Sequence, residues 1–163
     1  MALRYLLDTN ICIYIAKAHP AEVLARFKRL RPGDVGMSAI TYGELAYGAR
    51  KSRYRADAER ILRDLTAVIP AIEMGEKSGE CYGMIRAHLE REGLRIGNND
   101  LWIAAHALGL GVPLVTNNEK EFAPVPDLVV QNWVKRAEEV HESPRVYKTA
   151  SRRRRGGIEF PKP

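Results

Sequence analysis

The chain has 163 residues, 45% hydrophobic and 28% charged, with a formal net charge of +6 and two cysteines. This length allows one domain with a real core, the apolar fraction excludes global disorder, and two isolated cysteines exclude a disulfide framework. No run approaches the roughly 18 apolar residues of a membrane span, and Asp8, Thr9 and Asn10 interrupt the apolar start before a signal-peptide core can form, so a soluble cytoplasmic protein is expected.

In chain order, residues 3–7 form an apolar run that predicts a buried strand, and Asn10 opens a short helix ending before His19 and Pro20. Residues 21–30 predict an amphipathic helix with Val23, Leu24, Phe27 and Leu30 on one face. Residues 35–37 predict a second strand, after which Ser38 caps a helix running to about Lys51. A helix is expected over 56–65 and a short strand over 67–69, ended by Pro70. A long helix over 74–91 is closed by Gly93, and another over 99–110 by Gly109 and Gly111. Short strands at 112–116 and 128–130 complete the set. Alternating strand and helix predicts an α/β fold, a short parallel central sheet with helices on both faces. Cys12 and Cys81 fall in helices without metal-ligand spacing and are read as buried packing residues.

The charge is unevenly placed. Basic and acidic residues balance at 19 each through Pro144, so the whole excess lies from Arg145 onward, around the arginine run at 152–155. The expected division is a compact domain over 1–136 and a polar, then strongly basic, flexible tail over 137–163. Such a tail suits a salt-sensitive RNA contact or a plain solvated extension.

Three acids stand where one α/β domain would gather its active-site edge. Asp8 follows the first and most apolar strand, which a right-handed wound sheet tends to place centrally. Ligands of such sheets bind outside the carboxyl ends of the strands. Glu44 lies four residues after Ile40 and three before Tyr47, on the face those side chains are expected to share; pairing with Arg50 or Lys51 is the alternative. Asp100 heads the apolar stripe Ile103, Ala104, Ala107 and Leu108 and sits in a first helical turn, where the macrodipole favours its charge. Each acid alone also suits a turn, boundary or cap. Together they would repel one another unless a cation lay among them, which points to a magnesium-type site.

The segments YLLDTNICIYI, SAITYGELAYGARKS, IGNNDLWIAAHAL and PLVTNNEKEFAPVPDLVVQNW resemble those of PIN-domain ribonuclease toxins of the VapC type, in order and spacing, from Arg4 to about Trp133. The resemblance is greatest to the branch that cuts initiator tRNA. It implies a PIN fold and a magnesium-dependent endoribonuclease, Mn2+ being an alternative ion. It also implies a homodimer inhibited by a cognate VapB-type antitoxin, with RNA, expected to be tRNA, as substrate. It places the family's acids on Asp8, Glu44 and Asp100, with Asp8 and Asp100 as direct metal ligands and Glu44 acting directly or through water. Thr9, Asn10 and Thr116 would support the site by hydrogen bonds. The family's frequent fourth acid falls on Asn118, a departure; Glu121, before the phenylalanine, is the substitute, with Glu119 also near. Hydrolysis leaving a 3′-hydroxyl and a 5′-phosphate is implied.

His19, His88, His106 and His141 show no nucleophile or metal spacing and are read as surface or packing residues. Arg86, Arg91 and Arg95 suit either RNA phosphates or a solvated helix face. An aspartyl phosphatase of the haloacid dehalogenase kind also begins strand-then-Asp, but needs a second Asp two positions on, where this chain has Asn10. The absence of GxxxxGK argues against a nucleotide-hydrolysing switch. A catalytically weakened domain that binds RNA or a partner is the remaining alternative, favoured by Asn118.

Overall fold

The structure is a computed structural model and describes residues 3–134. Five parallel strands, β1 (Tyr5–Leu7), β2 (Val35–Ser38), β3 (Ala71–Ile72), β4 (Leu114–Val115) and β5 (Val130–Gln131), form one sheet in the order β3-β2-β1-β4-β5. Helices α1 (Thr9–Ala16), α2 (Ala21–Phe27), α3 (Ala39–Lys51), α4 (Arg55–Val68), α5 (Glu76–Arg91), α6 (Asn98–Leu110) and α7 (Glu119–Phe122) connect them. Strand β1 is central, and the chain winds outward first through β2 and β3, then through β4 and β5. The switch point is therefore at the carboxyl ends of β1 and β4, where Asp8 and Thr116 follow directly.

The sheet separates two cores because successive strand residues face opposite sides. Leu7 and Val115 join Ile11, Cys12, Leu45, Ala58 and Leu62 on the side of α1, α3 and α4. Leu6 and Leu114 join Ile85, Leu89, Leu101, Ile103 and Phe122 on the side of α5, α6 and α7. The parallel sheet with helices on both faces is thus the one expected. Among the described residues no helix is long and apolar enough to cross a membrane.

Several local expectations need correction. Residues 67–69 are not a strand: α4 continues to Val68, Ile69 ends it, and the edge strand follows Pro70, whose carbonyl accepts from Met37 N at 2.9 Å. Gly109 does not close α6 but lies within it. A Cβ there would come within 3.0 Å of Ser78 N and 3.1 Å of Lys77 C, so glycine lets α6 and α5 touch backbone to backbone. Gly111 supplies the left-handed C-cap at φ +66°. Cys12 is fully buried, its thiol pushed up by desolvation and by the Asp8 charge, whereas Cys81 is only half-buried. The helix α7 escaped the sequence reading. The basic tail lies outside the described residues.

Candidate active site

Asp8 ends β1 and caps α1: Thr9 N donates to its Oδ1 at 2.7 Å. The cap reading of this residue therefore holds, and the cap leaves Asp8 at the carboxyl edge of the sheet. Its Oδ2 accepts from Thr116 Oγ1 at 2.7 Å and from Asn10 Nδ2 at 2.8 Å, and Asn10 Nδ2 also reaches Thr116 Oγ1 at 3.1 Å. Asp8 is 4% exposed. Burial pushes its carboxyl above the usual range and the nearby Glu44 charge adds to this, while the donors from Thr116, Thr9 and Asn10 oppose it.

Glu44 projects from the second turn of α3, whose start is fixed by Ser38 Oγ accepting from Ile40 N at 3.3 Å. Its Oε2 accepts from Thr9 Oγ1 in a short hydrogen bond and its Oε1 from Asn99 Nδ2 at 2.8 Å. Glu44 makes no ion pair with Arg50 or Lys51. Tyr47 is 55% exposed, so the apolar face expected to carry Glu44 turns outward at that residue. What orients the carboxylate is polar instead: one donor from the first turn of α1 and one from α6.

Asp100 sits in the first turn of α6 beneath Gly97, where a Cβ would lie 2.8 Å from Asp100 Oδ2 and 3.7 Å from Glu121 Oε1. A larger residue there would displace the Asp100 carboxylate. Gly97 N donates to Glu121 Oε1 at 2.9 Å, seating the Glu121 carboxylate beside Asp100. Burial, and then the charges of Asp8, Glu121 and Glu44, push the Asp100 carboxyl up to about 7. Among the described residues no donor reaches its side-chain oxygens.

The structure thus brings Asp8, Glu44 and Glu121 within electrostatic range of Asp100, with Thr9, Asn10 and Thr116 beside Asp8 and Glu44. It separates the other two candidates. Asn118 caps α7 without a side-chain capping bond and joins the network through its backbone, donating to Thr116 Oγ1 at 3.0 Å. Glu119 turns away to Asn132, which donates to its Oε2 at 2.9 Å. Two polar residues missed in the sequence complete the site. Asn99 holds Glu44, while Asn117 donates from its backbone to Asn10 Oδ1 at 3.0 Å and from its side chain to Tyr14 Oη at 3.1 Å. Their only sequence signal is an Asn beside each acid-bearing turn.

The donor set is all oxygen, which suits a hard cation such as Mg2+ or Mn2+. Among the described residues no group of three or more His, Cys, Asp or Glu side chains is arranged to hold an ion. Magnesium does not need such a cage, because it keeps several waters and takes one or two carboxylates. Burial first, and then the neighbouring carboxylates, raise Asp8 and Asp100, and a bound cation would offset both effects.

Fold and site together define an α/β protein with an acidic, all-oxygen centre at the sheet's switch point, a class suited to divalent cations and phosphate esters. The PIN domain family profile matches residues 5–128. The chain is 42% identical to the ribonuclease VapC2 of Haemophilus influenzae, over 81% of this chain and 99% of that one. It is 37% identical to the tRNA(fMet)-specific endonuclease VapC of Shigella flexneri, over 80% and 98% of the two chains. The solved structure of VapBC-1 from nontypeable Haemophilus influenzae superposes with a TM-score of 0.75 at 42% identity, over 82% of this chain and all of that one. The chain belongs to the PIN-domain family, among the VapC ribonucleases.

Proposed function

We propose that this protein is a magnesium-dependent endoribonuclease, the toxin of a type II toxin-antitoxin system, acting on tRNA. The observation that carries this reading is the gathering of Asp8, Glu44 and Glu121 around Asp100 at the switch point, where burial and then these three charges push the Asp100 carboxyl up to about 7. Membership among the VapC ribonucleases supports RNA as substrate, and the relative named for tRNA(fMet) supports initiator tRNA within it. The neighbouring VapBC-1 structure supports a VapB-type antitoxin as partner. An antitoxin arginine entering the acidic site would be a charge-complementary inhibitor, and the toxin is proposed to act as a homodimer in the cytoplasm. Residues 1–136 are the proposed nuclease domain and 137–163 a basic appendage to it.

In this reading Asp8 and Asp100 hold the ion and Glu44 supports it directly or through water. When bound, the ion polarises a phosphodiester oxygen and lowers the pKa of a coordinated water. Thr116, Asn10 and the Thr9 amide donate to Asp8, favouring its ionised form and aiming it, and Thr9 Oγ1 and Asn99 aim Glu44. Glu121 spends Oε1 on Gly97 N and leaves Oε2 to accept a proton from the attacking water. The new bond is water oxygen to phosphorus and the broken bond is phosphorus to the 3′-oxygen, giving a 3′-hydroxyl and a 5′-phosphate.

Induced expression in a bacterial culture, with and without a cognate VapB-type antitoxin, tests the biological role. Growth arrest by the wild type, lost in Asp8→Asn and relieved by the antitoxin, is expected. Equal toxicity of wild type and Asp8→Asn would remove the nuclease from the explanation and favour the binding-only alternative.

A further inference from the structure

A groove of about 560 Å³ opens where α5 ends and α6 begins, lined by Arg86, Leu89, Leu94, Arg95, Ile96 and Asn98 among others. We propose that this groove is the subsite for one unpaired nucleotide of the RNA substrate, next to the bond that is cut. The inference rests on the nuclease reading above and names how that site holds its substrate.

Position is the first support. Asn98 and Leu101 line the groove, while Asn99 and Asp100, between them in the same helical turn, hold Glu44 and form the acidic centre. Groove and acidic centre are therefore both built from the first turn of α6. Size is the second. Small-ligand sites span about 300–1,000 Å³, and a base with its ribose phosphate fits within that range.

Chemistry decides the occupant. The floor is apolar: Leu89 and Leu101 are 3% and 5% exposed, with Ile96 half-buried and Leu94 at the rim, a surface for the face of a base. The rim is cationic. Arg86 donates from Nε to Glu90 at 2.9 Å and from Nη1 to Tyr82 Oη at 3.0 Å, and Tyr82 is stacked on Trp102 with ring centroids 3.9 Å apart. This scaffold fixes the guanidinium at the groove and leaves Nη2 for a phosphate. Arg95 is exposed and has no acidic partner among the described residues. Glu90 neutralises part of this charge, but the lining remains net positive. Asn98, also in the lining, offers both a donor and an acceptor to a base edge. An apolar floor under a cationic rim matches a nucleotide, whose flat face is apolar and whose backbone is anionic.

The test measures cleavage of purified total tRNA in Mg2+ by the full chain and by Arg95→Ala, Arg86→Ala, Asn98→Ala and Arg95→Lys, with Arg60→Ala on α4 as a basic control. KM should rise roughly three- to tenfold for each alanine substitution in the groove, with kcat little changed. Its salt dependence should become shallower by about one counter-ion for each arginine removed. Arg95→Lys should recover most of the loss, and Arg60→Ala should match the wild type. Groove variants that melt like the wild type and cut with unchanged KM would overturn the subsite while leaving the nuclease intact. If the wild type itself cuts nothing, the nuclease reading fails, and filter binding of labelled tRNA to the same proteins still decides the groove. Weaker binding in the groove variants supports it; equal binding, or weaker binding of the antitoxin alone, overturns it.

Discussion

Replacing Asp100 with Asn should make the ion-free protein more stable and the enzyme inactive. Asp100 carries a half-buried carboxyl moved from an ordinary 3.8 to about 7, first by burial and then by Asp8, Glu121 and Glu44. In a site sealed from water that displacement would correspond to about 4 kcal/mol. Solvent reaches Asp100 and screens it, so about 1–2 kcal/mol is the expected penalty. The sign follows from the acid's raised folded value. Below about pH 4 Asp100 is protonated folded or unfolded and costs nothing. Between about 4 and 7 the unfolded chain ionises first, so stability falls as pH rises, and above 7 the penalty is complete. Asn is isosteric, carries no charge, and breaks no hydrogen bond at this position. In chelator-treated protein at pH 8, Asp100→Asn should melt roughly 3–6 °C above the wild type, and the gap should close near pH 4. Added Mg2+ should raise the wild-type midpoint and leave the variant's nearly unmoved. A variant less stable than the wild type at pH 8 without metal would refute the carboxylate repulsion on which the site assignment depends.

Three further outcomes follow from particular contacts. Thr116→Val removes the donor to Asp8 Oδ2 and the acceptor for Asn118 N; RNA cleavage assays should show a roughly 10- to 100-fold loss, as for other groups that orient metal ligands, with the fold retained by circular dichroism. Gly109→Val drives a side chain into the α5 backbone at Ser78 and Lys77 and should cost about 1–3 kcal/mol in urea unfolding. His106 is buried with Nδ1 3.1 Å from Ser38 Oγ, and desolvation holds its imidazole below the usual range, partly offset by the Glu73 carbonyl. Its neutral form is the folded one, so stability should decline as pH falls below about 6.5, a decline that His106→Gln should flatten in thermal melts.

Much of this architecture is written locally. Apolar residues that run straight into Asp8, a serine at the head of α3 and a left-handed glycine after α6 mark their elements through strand burial, capping and C-cap chemistry that depend on few neighbours. The order of elements then suffices for a parallel sheet. Elements decided by distant partners were not readable. Residues 67–69 are β-branched or small enough for a strand, yet α4 keeps them because Ile69 fills the core beside Leu65, and the edge pairing goes to the residues after Pro70. Gly109 looked like a stop because only the approach of α5 shows why a side chain is excluded. In the site, the acids stood out by residue type and by position after strands or in first turns. Asn99, Asn117 and Gly97 did not, because their roles are contacts to residues 55, 107 and 24 positions away. The Gly97 amide that seats Glu121 and the Asn132 amide that holds Glu119 are likewise distant contacts.

The most direct measurement is cleavage of purified total tRNA by the full chain, with and without Mg2+, beside an Asp8→Asn, Asp100→Asn double variant, with the cut ends sequenced. Discrete cuts bearing 5′-phosphates that require Mg2+ and vanish in the double variant are predicted. Identical products from both proteins, or tight RNA binding by the wild type with no cutting at any Mg2+ concentration, would contradict the assignment of these carboxylates to catalysis.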